Sequence, residues 1–381
     1  MISRRHLLLA SAGLAGCGVR KATAYQGYCL VANQTGRNIA VVDLTTFRVR
    51  QVIPLDAAPA AVVSHPSKPK AYVLAPDAGT IFEIDAASMA VSRRVRMGSA
   101  AVGMQMMPAM PPAQRSDALW VLYREPGLLV ELPLDSLKPR RRIALAAPPD
   151  DFDISQDQRA AIACSRTRTI TIASLERGAV ERTIEAGVSA PFVRFRSDGK
   201  LLLTANGPDK SITFFDVATG KTVVRLPLPF EARHYCVNPD RGQMFLSGDG
   251  MDAVAIVFPY STEVWQTVLA GRAPSAMAAT DTKPPYLLVS NPSTNTVTIL
   301  DLATQRLSAV VEVGSDPGEI IVTPDNRWAL VLNRQSGDMA VIRLDRRSRP
   351  SAEHVMRYKS APLFTMVPVG GRPVAGAVIA W

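Results

Sequence analysis

The 381-residue sequence predicts an all-β fold, a single β-propeller of four-stranded blades. Two observations lead to this prediction. An apolar strand followed by a turn and a second apolar strand recurs along the chain, and four short strands fit each period, as in a propeller blade. The ends of the recurring strand are 41 to 48 residues apart, at Asp43, Asp85, Pro133, Ser174, Asp216, Phe258, Asp301 and Arg343.

The repeat is clearest near the end of the chain. Its four predicted strands are Tyr286–Asn291, Val297–Leu302, Leu307–Val313 and Gly318–Pro324. Their apolar residues alternate with polar ones and include many β-branched side chains, which is typical of strands. The segments between them are rich in Asn, Asp, Ser, Gly and Pro, which are turn formers. No amphipathic stretch is long enough to predict a helix.

The repeat resembles the YVTN-type β-propeller repeat. The strand for which the family is named is written here as LVAN (Leu30–Asn33), LTAN (Leu203–Asn206) and LVSN (Leu288–Asn291), and the turn DVATGK (Asp216–Lys221) follows the third strand. The resemblance covers about residues 28–368. It implies that the turn aspartates accept backbone N–H bonds and that Gly220 has a positive φ. The matched residues are all structural, so the resemblance implies little about function.

The number of blades follows from the innermost strands. Eight are predicted, at Ala61–Ser64, Gly103–Met107, Phe152–Ser155, Phe192–Arg196, His234–Asn238, Ser275–Ala279, Glu319–Thr323 and Leu363–Val367. The last has no outer strands after it, and the first group, Tyr28–Leu55, has no inner strand before it. Pairing these N-terminal and C-terminal strands would close the ring and remove an exposed edge. Eight blades are therefore favoured over seven, with residues 369–381 as a C-terminal tail.

The first residues are typical of an export signal. Arg4 and Arg5 precede a short apolar run, as in a twin-arginine signal, and Leu14–Cys17 resembles a lipobox with Cys17 as the lipidated residue. We therefore expect a signal peptide at residues 1–16 and a lipidated tether at 17–27. Gly18 favours the outer membrane, so the predicted location is the periplasm or cell surface. The alternative is an ordinary secretory signal.

Composition limits the possible partners. The formal net charge is +10, and Arg-rich clusters occur at Arg93–Arg96, Lys138–Arg142 and Arg346–Arg349. We expect them to protect outer edge strands; the alternative is contact with anionic lipid or polysaccharide. Aromatic residues do not alternate with the arginines, which argues against nucleic acid. Four Cys and four His argue against a disulfide framework or a metal cluster, so no metal or cofactor is predicted.

Polar residues on the innermost strands define a candidate axial pocket, since most positions there are apolar. Asp153 and Arg194 occupy equivalent positions in neighbouring blades, so we expect them to pair. The full candidate set is Asp151, Asp153, Arg194, His234 and Glu319. The alternative is a solvated channel with one structural ion pair.

No catalytic motif stands out in the sequence, and we predict no catalytic residues. The favoured function is a lipid-anchored, monomeric binding or scaffold protein of the cell envelope, attached to the membrane and recognising a protein or polysaccharide. The alternative is a periplasmic enzyme or a redox or cofactor-binding propeller, similar to a dehydrogenase, which uses the axial funnel.

Overall fold

The computed structural model describes residues 25–107, 117–187, 190–344 and 362–380. These residues form 32 strands in eight four-stranded antiparallel sheets, and they contain no helix. No helix able to cross a membrane is therefore present in the described part of the chain. The predicted all-β fold and the predicted eight blades are both confirmed.

Seven blades are built from four consecutive strands each, with the first strand at the axis and the fourth at the outer edge. In blades 1 to 4 the strands are β1 Gly27–Asn33, β2 Asn38–Asp43, β3 Arg48–Pro54; β4 Ala61–Ser64, β5 Lys70–Ala75, β6 Thr80–Asp85, β7 Ala90–Arg96; β8 Ser99–Met106, β9 Ala118–Glu125, β10 Leu128–Pro133, β11 Arg141–Ala144; and β12 Asp151–Ile154, β13 Arg159–Cys164, β14 Thr169–Ser174, β15 Ala179–Glu185.

In blades 5 to 8 the strands are β16 Val193–Phe195, β17 Leu201–Asn206, β18 Ser211–Asp216, β19 Thr222–Pro227; β20 Glu231–Val237, β21 Met244–Asp249, β22 Ala253–Phe258, β23 Glu263–Leu269; β24 Met277–Ala279, β25 Tyr286–Asn291, β26 Thr296–Asp301, β27 Arg306–Glu312; and β28 Pro317–Val322, β29 Trp328–Asn333, β30 Asp338–Arg343, β31 Leu363–Pro368. The last strand, β32 Pro373–Ala380, completes blade 1.

The ring closes through the two ends of the chain, as predicted, but with a different strand. The innermost strand of blade 1 is β32, which pairs antiparallel with β1 so that Leu30 lies opposite Ala377. The assignment of Leu363–Val367 as an innermost strand is wrong, because β31 is the outermost strand of blade 8 and pairs with β30. Residues 345–361 separate these two strands in the sequence, so the repeat spacing did not indicate that they pair. The propeller therefore extends to Ala380, and residues 373–380 are not a tail.

The predicted repeat turns are confirmed where the aspartate is present. Asp43 accepts a hydrogen bond from Thr45 N at 2.7 Å, and Asp216 accepts one from Thr219 N at 2.7 Å. Asp85 and Asp301 accept equivalent bonds. Gly220 has φ +75°, a conformation that glycine adopts at little cost. The turns fix where each third strand ends and the outermost strand begins.

The core is divided into eight apolar clusters, one between each pair of neighbouring blades. Alternate residues of each strand pack against opposite neighbours, because side chains of a strand alternate between its two faces. Among the described residues, seven clusters contain 11 to 17 buried side chains each. The cluster between blades 6 and 7 contains eight. This junction has the thinnest core of the ring.

The antiparallel order places the loops on two faces. The loops between blades and the turns that join the second strand of a blade to its third lie on one face of the ring, which we call the upper face. The opposite, lower face carries the other turns. The innermost strands begin at the upper face, so their first residues surround its axial mouth.

Candidate functional site

Two of the five predicted pocket residues join blade 4 to blade 5. Asp151 accepts a hydrogen bond from Val193 N at 3.0 Å, and Asp153 accepts one from Phe195 N at 2.8 Å. Both donors lie on β16, whose channel-facing N–H groups have no partner strand because β12 belongs to another sheet. Buried N–H groups need an acceptor, and the two carboxylates supply it. Both side chains therefore contribute to the structure of the ring.

Arg194 extends this connection to blade 6. Its guanidinium Nη1 lies 2.5 Å from Asp151 Oδ2, and its centre lies 4.0 Å from the centre of the Tyr235 ring. The ion pair thus forms with Asp151, and the predicted pairing with Asp153 is wrong. Arg194 is only 9% exposed. Its hydrogen-bonding groups are directed to Asp151 and backbone carbonyls, which leaves little of the guanidinium for a ligand.

Glu319 forms the corresponding connection where the ring closes. Its Oε2 accepts a hydrogen bond from Gly376 N of β32 at 3.0 Å. Burial raises the pKa of Glu319 to about 7, although the Gly376 N–H lowers it. Burial raises the pKa of Asp153 as well, against the opposing charge of Arg194. A Cβ on Gly376 would lie 2.7 Å from Ile321 Cδ1, so a larger residue there would require that side chain to shift.

Gln105 belongs to the same group, although it was not included in the predicted set of pocket residues. Its Nε2 donates a hydrogen bond to Phe152 O at 2.8 Å, which joins blade 3 to blade 4. The signal was available, because Gln105 is polar and lies on an innermost strand. Five of the polar side chains along these strands therefore bridge neighbouring blades: Gln105, Asp151, Asp153, Arg194 and Glu319.

His234 is different, because it is exposed and faces a cavity of about 380 Å³ between blades 6 and 7. The cavity lies on the upper face at the junction with the thinnest core. A β-bulge between Ala232 and His234 shifts the register of β20 against β21 and so reorients the inner strand at this point. The lining residues are His234, Gly248, Asp249, Gly250, Met251, Asp252, Ala273, Pro274 and Ser275.

The cavity wall is rich in acceptors. The Asp249 side chain is 74% exposed and its Oδ2 accepts a hydrogen bond from Arg233 Nε at 3.0 Å. Arg233 is also paired with Glu231, at 2.8 Å. Asp252 accepts a bond from Ala273 N at 2.9 Å, which holds the loop between the blades against blade 6. The lining residues themselves carry two carboxylates and no Lys or Arg.

The imidazole of His234 adds a further acceptor. The cavity wall shields part of the imidazole from water, and this desolvation lowers the pKa of His234; the charges of Arg334 and Arg233 lower it further, while Asp249 raises it. The ring is therefore neutral at neutral pH, with one nitrogen donating and the other accepting. The sequence pattern predicted His234 but not Asp249, Met251 or Asp252, which lie in the turn GDGMD. The only signal was that this turn differs from its counterparts in other blades.

A second cavity, of about 440 Å³, lies on the lower face near His65. Two of its polar residues, His65 and Arg140, are already committed to contacts within the protein. His65 Nδ1 accepts hydrogen bonds from Ser67 N at 3.1 Å and Lys68 N at 3.2 Å, and His65 is only 7% exposed. Arg140 in the same wall pairs with the buried Glu131. The upper cavity is therefore the stronger candidate for a ligand site.

The remaining predicted features lie partly within the described residues and partly outside them. Within the described residues, no group of three or more His, Cys, Asp or Glu side chains is placed to hold a metal ion. Cys29, Cys164 and Cys236 are free, and burial raises the pKa of each thiol, to about 11 for Cys164 and Cys236. Arg4, Arg5 and Cys17 lie outside the described residues.

Comparison with known proteins supports the fold. No protein-family model matches the chain, and no curated protein matches its sequence. Among solved structures, dihydro-heme d1 dehydrogenase NirN in complex with DHE is 15% identical, with a TM-score of 0.73, over 92% of this chain and 75% of that one. Apo AztD from Citrobacter koseri is 11% identical, with a TM-score of 0.66, over 93% and 98%.

Kuenenia stuttgartiensis hydrazine synthase is 18% identical, with a TM-score of 0.57, over 75% of this chain and 95% of that one. Identities this low support a shared fold and leave the YVTN-type resemblance a prediction. The neighbours include enzymes, so the fold itself is compatible with catalysis or binding. The chain is an eight-bladed β-propeller.

Proposed function

We propose that this protein is a lipid-anchored binding protein of the cell envelope that takes a small organic cation in the cavity beside His234. The observation that carries the proposal is the contrast within the axial lining. The other predicted polar side chains hydrogen-bond to a neighbouring blade, whereas His234 is exposed to a cavity of about 380 Å³. Cavities of this size are typical of small-molecule sites.

The ligand class follows from the chemistry of the wall. Asp249 and Asp252 contribute negative charge, and neutral His234 and Ser275 contribute hydrogen-bond acceptors. Arg233, which contacts the wall through Asp249, is shared between Glu231 and Asp249. An ammonium group donates several hydrogen bonds and accepts none, so it complements this set. The methylene chain of an aliphatic amine would lie against Met251 and Pro274.

The cellular part of the proposal rests on the first residues. Arg4 and Arg5 would direct export and Cys17 would carry the lipid, which would locate the propeller in the periplasm or at the cell surface, on the outer membrane. Replacing Cys17 by Ala should move the protein from the membrane fraction of cells to the soluble fraction. Continued membrane association of that variant would contradict lipid anchoring at Cys17. Protein or polysaccharide partners and a monomeric state belong to the same proposal.

The cavity itself is tested by a pair of matched probes. Putrescine and butanediol have the same carbon chain, but only putrescine carries ammonium groups. We expect putrescine to shift the imidazole NMR signals of His234, assigned with the variant His234→Gln, and butanediol to leave them unchanged. Gln335→Ala, an exposed position in the equivalent turn of blade 8, should leave the putrescine response intact. Equal responses to both probes, or no response to either, would reject the cation site.

The alternative function is a cofactor-using enzyme. Its support is the likeness to a propeller solved with DHE, dihydro-heme d1 dehydrogenase NirN. A visible absorbance band in protein purified from its native membranes would favour this alternative over the proposed binding protein.

A further inference from the structure

The outermost strands of blades 1 to 3 differ in charge from those of the other blades. Strands β3, β7 and β11 contain no Asp or Glu, and their arginines are Arg48, Arg50, Arg93, Arg94, Arg96, Arg141 and Arg142. Strands β15, β19, β23, β27 and β31 together carry Arg182, Arg225, Arg306, Glu181, Glu185, Glu263 and Glu312. Positive charge is therefore concentrated on one side of the ring.

Part of this charge has a structural role. Arg93 binds the fully buried Glu83 at 2.5 Å, and Arg141 lies 3.3 Å from the buried Glu131. Burial alone would raise the pKa of Glu83, but hydrogen bonds from Arg93, Ser92 and Lys70 outweigh it and hold the pKa at about 2. These arginines are required to neutralise carboxylates inside blades 2 and 3. Their positions are explained by these internal ion pairs and are not evidence for an external partner.

Four arginines have no such role. Arg48, Arg50, Arg96 and Arg142 are exposed, and the described residues offer their side chains no hydrogen bond or ion pair. We call these four residues the basic rim. Arg94 lies among them, but it forms an exposed pair with Asp56 at 2.8 Å, which contributes little. The basic rim extends over three consecutive blades along the outer edge of the propeller.

We propose that the basic rim docks the propeller, edge first, on an anionic phospholipid surface. The charges lie on consecutive outer strands and not in a groove, and one flat surface can meet several of them at once. The same strands contain no Phe, Tyr or Trp on which bases could stack, which argues against single-stranded nucleic acid. Val52 on β3 is 49% exposed and adds an apolar contact beside Arg50.

The proposal goes beyond the cavity and depends neither on its ligand nor on a lipid at Cys17. Each arginine near an anionic membrane contributes about 1 kcal/mol, which is about a fivefold change in affinity. Salt screens such interactions within about 10 Å at ordinary ionic strength. Loss of all four charges should therefore weaken binding to anionic vesicles by more than about tenfold.

The test uses a chain that lacks residues 1–16 and carries Cys17→Ser, because all 32 strands lie after residue 26. Vesicles of phosphatidylglycerol and phosphatidylethanolamine are compared with vesicles of phosphatidylcholine in a co-sedimentation assay. The test variant carries Arg48→Gln, Arg50→Gln, Arg96→Gln and Arg142→Gln. The control carries Arg182→Gln, Arg225→Gln and Arg306→Gln on the outermost strands of blades 4, 5 and 7, outside the basic rim. Thermal unfolding checks that both variants are folded.

We expect binding to the anionic vesicles alone, a loss of more than about tenfold in the test variant and a change of less than about twofold in the control. Equal losses in both variants, equal binding to the two kinds of vesicle, or binding to heparin without binding to vesicles would each overturn the proposal. A response of His234 to putrescine in the test variant would show that the cavity is unaffected, so the two proposals fail separately.

Discussion

The junction between blades 4 and 5 and the junction between blades 6 and 7 use polar side chains in opposite ways. At the first, Asp151 and Asp153 are turned to the backbone of the next blade and Arg194 is 9% exposed. At the second, His234 and Asp249 are exposed, the apolar cluster is the smallest described, and a cavity lies between the blades. A polar residue near the axis is therefore not in itself a sign of ligand binding.

The difference has a simple physical origin. Innermost strands of neighbouring blades belong to different sheets, so their channel-facing backbone groups need partners from side chains. At Asp153 and Glu319, the side-chain carboxylate is long enough to accept a hydrogen bond from a backbone N–H of the next inner strand. The loop before the inner strand of blade 7, Met277–Ala279, leaves space beside blade 6. We therefore expect ligand binding at the junction where inner-strand side chains are not needed to link the blades.

The largest expected effect comes from breaking the closed junction. Asp151→Ala would leave Arg194 without its carboxylate and Val193 N without its acceptor, so we expect a loss of about 3 kcal/mol in the free energy of unfolding. Urea denaturation measures it. Asp249→Ala, at the open junction, should change the free energy of unfolding by less than about 0.5 kcal/mol, since that side chain is 74% exposed. Similar losses in the two variants would remove the distinction between the junctions.

A smaller effect is expected in the pH dependence of stability. The pKa of Glu319 is raised to about 7 in the folded protein, above its usual value near 4.5, so the folded state binds the proton more tightly. This contribution is fully present below the unfolded pKa and is lost as the pH rises through the folded pKa, by roughly 1–3 kcal/mol. Asp153 acts in the same direction, because burial also raises its pKa.

The variant Glu319→Gln distinguishes the contribution of Glu319 to this pH dependence from that of Asp153. The amide oxygen can still accept the Gly376 N–H, but the group no longer titrates. We expect the fall in unfolding free energy between about pH 5 and pH 8 to become smaller in the variant than in the wild type. Thermal melts across this pH range provide the measurement. An unchanged pH profile would mean that Glu319 is not a protonated link between blades 8 and 1.

Periodicity was sufficient to predict the architecture. The strand ends recur because each blade needs the same turn, and Asp43, Asp85, Asp216 and Asp301 accept the expected backbone bonds. The closing strand was missed, because β32 has no repeat after it and residues 345–361 separate β31 from β30. An apolar run without its repeat context does not reveal which sheet it joins.

The candidate site was predictable only in part. Polar residues on inner strands were correctly singled out, but whether each one bridges two blades depends on the distance between sheets, which no local pattern encodes. Asp151, not Asp153, reaches Arg194. Asp249 and Met251 belong to a turn, where polar residues are common and carry no signal of their own. The thin core between blades 6 and 7 is likewise a property of packing between segments distant in sequence.

The central claim is that the open junction carries the ligand and the closed junctions do not. The most direct test is the increase in unfolding temperature caused by putrescine in the wild type, Asp249→Asn and Glu319→Gln. Ligands that bind only the folded state stabilise it. We predict that putrescine stabilises the wild type and Glu319→Gln but not Asp249→Asn. Stabilisation retained in Asp249→Asn and lost in Glu319→Gln would contradict the account and place the ligand in the axial channel.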